Sequence, residues 1–461
     1  METLHKEVQA GKANTPAPTV WRQAPFRRRR WSGLLRVRLP FLTVSLLSIL
    51  LLFTRCEPLT DALPTPAKAS DLNRTGTSTL RITTVDGATA VVECTVEVRP
   101  SGEIIQLCMP EQWNGELILY AHGYVPAFLP LSLPTQADTY RAVFTSAGYA
   151  FATTSFRENG IAILSGIEDM INLRRTFMER HPGVREVYLA GASQGGIITT
   201  LAAERYPELF SGGLALCGPC GYFQGQINYY GSFRVLFDYF FPGVLPGNAV
   251  DIPEELIRNW ETKYIPLVLS AIGQNPGATL KLLRTAKAPY DPNDPATIQR
   301  TVIDVLTYNV LYTADARVKL GGQPFDNEKY VYFGTGSIRE DARLNLNVQR
   351  FSADKAALQH IQNNYETTGE LAIPLVNGHT TKDPIQLFWH LPLYKAKTVV
   401  QGNNENYTGI AVPRYGHCTF TDREIVAGFA LLVQQVKGLQ EPLLARVSDA
   451  EGRIVREVTV N

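Results

Sequence analysis

Between Glu116 and Cys217 the chain alternates short apolar runs with stretches of helical spacing, and this alternation narrows its fold more than any other feature. The apolar runs are Glu116-Leu-Ile-Leu-Tyr-Ala121, Tyr149-Ala-Phe-Ala-Thr-Thr-Ser155, Glu186-Val-Tyr-Leu-Ala190 and Gly213-Leu-Ala-Leu-Cys217. Between them, Tyr140 to Ala147, Ile167 to His181 and Gly196 to Arg205 read as helices, the second stopped by Pro182-Gly183. Continuous apolar strands joined by helices predict an α/β fold, with a mostly parallel central sheet covered by helices on both faces. Upstream, Leu80 to Cys108 reads as two or three alternating strands.

The alternation stops after Gly221. Roughly 150 residues rich in Tyr, Phe and Pro follow, and a structureless loop of that length is rare inside a compact fold. An inserted, mainly helical cap is therefore expected over 222–369. The pattern resumes with strands at Leu371-Ala-Ile-Pro-Leu-Val376 and Ile410-Ala-Val-Pro413. Thr421-Asp-Arg-Glu424 is a capping box opening a helix with Ile425, Phe429, Leu432, Val433 and Val436 on one face. The core thus spans 79–221 and 370–440. Residues 441–461 alternate around Asp449-Ala-Glu-Gly452 and suggest a closing hairpin.

The N-terminal part has another character. Arg27 to Arg30, with Arg36 and Arg38, precede an apolar stretch from Leu39 to Phe53. Its length, roughly 15 residues, suits a signal-peptide core better than a full membrane span. Positive charge on its N-terminal side holds that end in the cytoplasm. Residues 1–56 read as a cytoplasmic segment with an export signal or signal anchor, and 57–78 as a linker rich in Pro, Thr and Ala. The expected location is periplasmic or secreted, with an uncleaved anchor as the alternative. Any membrane contact would run through this segment alone. A net charge of +1 gives no reason to expect nucleic acid.

Six cysteines fit an oxidising compartment. Cys94 and Cys108 flank the turn signal Val-Arg-Pro-Ser-Gly, so they face each other across a hairpin and are candidates for a disulfide. Cys217-Gly-Pro-Cys220 has C-x-x-C spacing. A zinc site there lacks a second such pair or paired histidines, and a thioredoxin-like motif would stand near a first strand.

Gly191-Ala-Ser193-Gln-Gly195 follows an apolar strand and precedes a helix. That is the setting of a nucleophile elbow, where a strained turn pushes the serine hydroxyl out over the sheet. A phosphate-binding loop would need a Lys after its glycines, and none is there. A serine hydroxyl needs a base, and His417, in the loop after a strand and preceded by Gly416, is the candidate. His379 is its rival, expected to line the site or brace the loop. The acid should fall in the loop after the preceding strand, where Asp383 is the only carboxylate in Asn377-Gly-His-Thr-Thr-Lys-Asp383-Pro. Backbone N–H groups of Tyr124 and Gln194 are the candidate oxyanion donors.

These motifs resemble the α/β-hydrolase superfamily. Within it, Leu216-Cys-Gly-Pro219, Gln323-Pro-Phe-Asp-Asn327 and Gly416-His-Cys418-Thr-Phe-Thr421 resemble bacterial secreted hydrolases related to phthalyl amidase and, more distantly, prolyl oligopeptidases. The likeness covers roughly residues 80 to 440. It implies an α/β-hydrolase fold and a disulfide between Cys217 and Cys418. Tannases and feruloyl esterases also bear a His-Cys pair, but their partner Cys immediately precedes the serine, where this chain has Ala192.

The expected function is a serine hydrolase cleaving carboxylic ester or amide bonds of small to medium substrates, with no metal or cofactor. A serine exopeptidase of prolyl-oligopeptidase type is one alternative, though no propeller-sized domain precedes the core. A non-catalytic binding protein on a hydrolase fold is another. Aromatics from Tyr222 to Phe241, among them Tyr229, Tyr230, Phe233 and Phe237, are candidates for an acyl pocket or for plain cap packing.

Overall fold

A computed structural model of the chain describes residues 75–83 and 89–439. The export segment, most of the linker and the C-terminal hairpin expected from the sequence lie outside the described residues. Among the described residues, no helix is long and apolar enough to cross a membrane.

Nine strands form one sheet in the order β1-β2-β3-β5-β4-β6-β7-β8-β9. They are β1 (Gly76–Thr83), β2 (Thr89–Val98), β3 (Ile104–Pro110), β4 (Glu116–Ala121), β5 (Ala150–Thr154), β6 (Glu186–Ala192), β7 (Gly212–Leu216), β8 (Leu375–Lys382) and β9 (Tyr407–Tyr415). β1, β2, β3 and β5 pair antiparallel, and every pair from β5 through β4 to β9 is parallel. An antiparallel edge followed by a parallel run, with β4 and β5 exchanged, is the α/β-hydrolase fold.

Crossover helices cover both faces. They are α1 (Ala137–Ser146), α2 (Ile163–Arg180) and α3 (Gln194–Arg205). Between β7 and β8 come α4 (Phe223–Phe240), α5 (Glu254–Arg258), α6 (Ile265–Gln274), α7 (Pro276–Ala286), α8 (Ala296–Lys319), α9 (Ile338–Asn347) and α10 (Lys355–Asn364). α11 (His390–Gln401) joins β8 to β9, and α12 (Asp422–Val436) follows β9.

All six residues of β4 are buried, as a strand covered on both sides requires. Successive side chains point to opposite faces. Ile118 and Tyr120 meet Tyr140 and Phe144 of α1 and Ile425 and Phe429 of α12. Leu117 and Leu119 belong to the other layer, with Ile167 and Phe177 of α2 and Ile197 of α3. That layer runs without a break into the segment between β7 and β8, through Phe233, Leu282, Val302 and Leu306. The segment therefore shares the hydrophobic core of the sheet. Trp260, fully buried, donates its indole N–H to Thr307 Oγ1 of α8 at 2.8 Å.

Several element bounds differ from the sequence reading; β9, for example, runs over Tyr407–Tyr415 where Ile410 to Pro413 was expected. β1 begins at Gly76, inside the expected linker. The strand expected at Leu371–Val376 lies instead at Leu375–Lys382. Pro374 has no N–H for a ladder, and the polar run after Val376 looks like a loop. β8 is flanked by β7 and β9, so its backbone groups are paired, and Thr380 turns its hydroxyl onto the Gly416 carbonyl at 2.7 Å.

Candidate active site

Ser193 stands between β6 and α3 at φ 58° and ψ −121°, a conformation a serine adopts only when its surroundings impose it. The flanking glycines explain why the turn closes. A Cβ on Gly191 would lie 2.1 Å from the Gly195 carbonyl oxygen, and one on Gly195 would lie 1.9 Å from that of Ala121. Only hydrogen fits at either place, so α3 can pack end-on against the sheet.

The hydroxyl meets an imidazole. His417 Nε2 is 2.8 Å from Ser193 Oγ, and His417 Nδ1 is 2.7 Å from Asp383 Oδ2. A carboxylate oxygen can only accept, so Nδ1 carries the proton and Nε2 is free to accept from the serine. Asp383 is fully buried, and its Oδ1 accepts the backbone N–H groups of Ile385 and Gln386 at 2.8 and 2.9 Å. Both oxygens are thus held, which fixes the direction from which His417 is approached.

Three side chains from two elements hold the loop after Asp383. Tyr229 of α4 donates to the Pro384 carbonyl at 2.9 Å, and Gln226 donates to that of Ile385 at 2.8 Å. His379, buried in β8, donates from Nε2 to the Leu387 carbonyl at 3.2 Å. It braces this loop from the strand. Burial pushes its pKa down to about 4.

The base loop is tied down as firmly. Cys418, next to His417, is bonded to Cys217 at the end of β7, and both have positive φ, 53° and 45°. A second disulfide joins Cys94 to Cys108 across the β2–β3 hairpin. Since Cys217 is joined to Cys418, Cys217-Gly-Pro-Cys220 is not a dithiol. Cys220 is a buried thiol beside Thr200 Oγ1, and burial raises its pKa to about 12.

The segments carrying the two candidate oxyanion donors both lie beside Ser193. Gln194 is the first residue of α3, so its N–H has no partner within the helix. The His122–Tyr124 loop passes directly over Ser193, where a Cβ on Gly123 would come within 3.2 Å of the Ser193 Cβ. Tyr124 is drawn onto α8 by a hydrogen bond from its hydroxyl to the Leu311 carbonyl, 2.9 Å. His122 is buried against Phe156, ring centroids 4.1 Å apart, and burial lowers its pKa to about 4.

Tyr124, Ser193 and Gln194 line a cleft with Ile163, Pro219, Tyr308, Tyr312 and Gln386. It has room for about one water molecule. The aromatic lining is Tyr124 together with Tyr308 and Tyr312 of α8, and none of the aromatics from Tyr222 to Phe241 is among the lining residues. Most of those sit on α4 in the core, with Phe233 and Phe237 wholly buried. Tyr230 comes nearest the site, through its stack on Tyr308 and a hydrogen bond from Gln386. Sequence reading missed Tyr308 and Tyr312. Their four-residue spacing on a helix was the available signal, diluted by the many tyrosines nearby.

No family model matches the chain, and no curated protein matches it. Several solved structures are distantly similar. Feruloyl esterase B from Aspergillus oryzae is 14% identical, over 80% of this chain and 89% of that one, with a TM-score of 0.46. Candida antarctica lipase A is 12% identical, over 82% and 85%, at 0.38. An acylaminoacyl peptidase from Pyrococcus horikoshii is 12% identical, over 80% of this chain but 42% of its own length, at 0.35. Likenesses this distant add nothing to the strand order and the strand–Ser193–helix turn, and it is these that give the chain the α/β-hydrolase fold.

Proposed function

We propose that the chain is a serine hydrolase that cleaves carboxylic esters or amides through an acyl-enzyme. The observation that supports this reading is the unbroken line from Asp383 through His417 to Ser193, with hydrogen bonds of 2.7 and 2.8 Å. In this reading Ser193 Oγ attacks the carbonyl carbon while His417 Nε2 takes its proton. The carbonyl oxygen becomes an oxyanion, received by the N–H groups of Tyr124 and Gln194. His417 then hands the proton to the leaving oxygen or nitrogen, and the acyl group stays on Ser193. Water, deprotonated by the same imidazole, releases the acid. Asp383 keeps Nδ1 protonated and stabilises the imidazolium throughout.

The two disulfides fit an exported protein, as the N-terminal basic and apolar run suggests. The division into a core over 79–221 and 370–440 and a cap over 222–369 is likewise proposed, with the cap controlling entry to the cleft.

The test is labelling with a fluorophosphonate probe, wild type beside Ser193→Ala, with the site mapped by mass spectrometry. Labelling should be confined to Ser193, and hydrolysis of p-nitrophenyl butyrate should fall at least about ten-thousand-fold in the variant. Folded wild type that neither labels nor hydrolyses would sink the reading and leave a binding protein on this fold.

A further inference from the structure

Helix α8 lays one stripe of side chains along the site. Thr297, Thr301, Asp304, Tyr308 and Tyr312 recur at intervals of three and four and share one face. The stripe is pinned on both sides of Asp304. Thr301 Oγ1 is 2.9 Å from the hydroxyl of Tyr415, two residues before His417. Tyr308 and Tyr312 line the cleft over Ser193. Asp304 falls between these contacts along the helix and interacts electrostatically with both His417 and Asp383.

Its carboxylate makes no hydrogen bond or ion pair with any described residue. Arg300, one turn upstream, is exposed and beyond ion-pair distance. Tyr229, Tyr308 and Tyr415 stand within its electrostatic reach. The hydroxyls of Tyr229 and Tyr415 are engaged elsewhere, on Pro384 and Thr301. A partly buried carboxylate without a protein partner is incompletely solvated, and it is the natural counter-charge for a cation arriving with a ligand. Neighbouring aromatic rings suit a cation as well.

The side of the cleft matters. His417 Nε2 gives its proton to the departing group, so that group leaves on the His417 side of Ser193 Oγ. We propose that Asp304 is a specificity-determining residue that binds an ammonium on the leaving group, so that the favoured substrates are esters or amides of amino alcohols and diamines. This rests on the serine-hydrolase reading and goes beyond it by naming the substrate class.

Asp304 should act as a carboxylate only when ionised. Burial raises its pKa to about 7, with Asp383 pushing the same way and Arg300 and His417 opposing. Tyr229, Tyr308 and Tyr415, the other titratable groups facing it, stay protonated there because burial raises their pKa values. The preference for a cation should fade as pH falls through about 7.

The experiment compares butyrylthiocholine with dimethylbutyl thiobutyrate, its uncharged isostere, reading released thiol. In wild type near pH 8, kcat/KM should favour the cationic ester by at least about tenfold. In Asp304→Asn the ratio should fall towards about one, while Asp304→Glu retains part of the preference. Equal ratios in wild type and Asp304→Asn would overturn the proposal. So would no preference in wild type, or a loss in the variant that is equal for both esters, which would mark Asp304 as a positioning residue for His417. If the variants do not fold, choline should inhibit wild-type hydrolysis of p-nitrophenyl butyrate where dimethylbutanol does not, and equal inhibition by both would overturn it. If neither thioester turns over while Ser193 still labels, only this proposal fails. If Ser193 does not label, the hydrolase reading fails and takes this proposal with it.

Discussion

Ser193 holds a φ of 58° only because Gly191, Gly195 and the end of β4 leave it no other course. A conformation of that kind costs about 1–3 kcal/mol for a residue with a Cβ. Ser193→Gly should therefore raise stability by about 1 kcal/mol while abolishing hydrolysis, and urea denaturation beside an activity assay checks both. A variant less stable than wild type would mean that the hydroxyl contributes more through His417 than the turn costs. The same logic separates glycines that serve the turn from those that only bend a loop. Gly191 and Gly195 were readable from the five-residue motif alone, because the chemistry demands them at those places. Asp304 was not readable. It is an unremarkable helical residue until folding brings its face of the helix against His417.

Among elements, the crossover units were plain in the sequence because apolar runs and helical spacing are local signals. β8 was harder. Its polar second half, Asn377 to Lys382, is strand only because β7 and β9 pair with it on both sides, and no local pattern records that. Asp383 was still legible as the carboxylate of the loop beyond it, since it directly follows the strand. The capping box at Thr421 and Glu424 was also legible, and both of its hydrogen bonds are present. α12 packs beneath the sheet immediately after the base loop, so Thr421→Ala should cost about 1 kcal/mol in thermal or chemical denaturation. The base loop itself hangs on the Cys217–Cys418 bond. Replacing both cysteines with serine should lower kcat by about tenfold to a hundredfold through a misplaced His417, with the far-ultraviolet dichroism unchanged. The paired change Cys94→Ser and Cys108→Ser, far from the imidazole, is the control and should leave kcat close to wild type.

For the whole molecule, the buried imidazoles dominate the expected response to acid. The pKa values of His122 and His379 are lowered to about 4, and that of His390 is well below its ordinary value, in each instance through burial. The unfolded chain, with ordinary histidines near 6.5, therefore takes up more protons than the folded one as pH falls. Their contribution to stability is whole above about pH 6.5 and is lost progressively towards pH 4. Asp304 works in the opposite sense, since its folded carboxyl holds a proton up to about pH 7. Burial also raises the pKa values of Glu103, Asp238 and Asp315, which side with Asp304, and lowers that of His181, which sides with the imidazoles. The three deeply buried imidazoles should still outweigh the carboxyls and make the melting temperature fall across this interval, and scanning calorimetry at half-unit steps would show it. A flat or rising profile would mean that the carboxyls outweigh the imidazoles.

Trp260 adds an optical consequence. Its indole is fully buried and hydrogen-bonded to Thr307, the residue before Tyr308 on α8. Should that helix shift as a substrate larger than the present cleft enters, the bond would stretch or break and the polarity around the indole would change. The chain thus carries a built-in fluorophore beside the helix whose tyrosines line the cleft. A stopped-flow emission change that disappears in Trp260→Phe would time the opening of the cleft separately from the chemistry at Ser193.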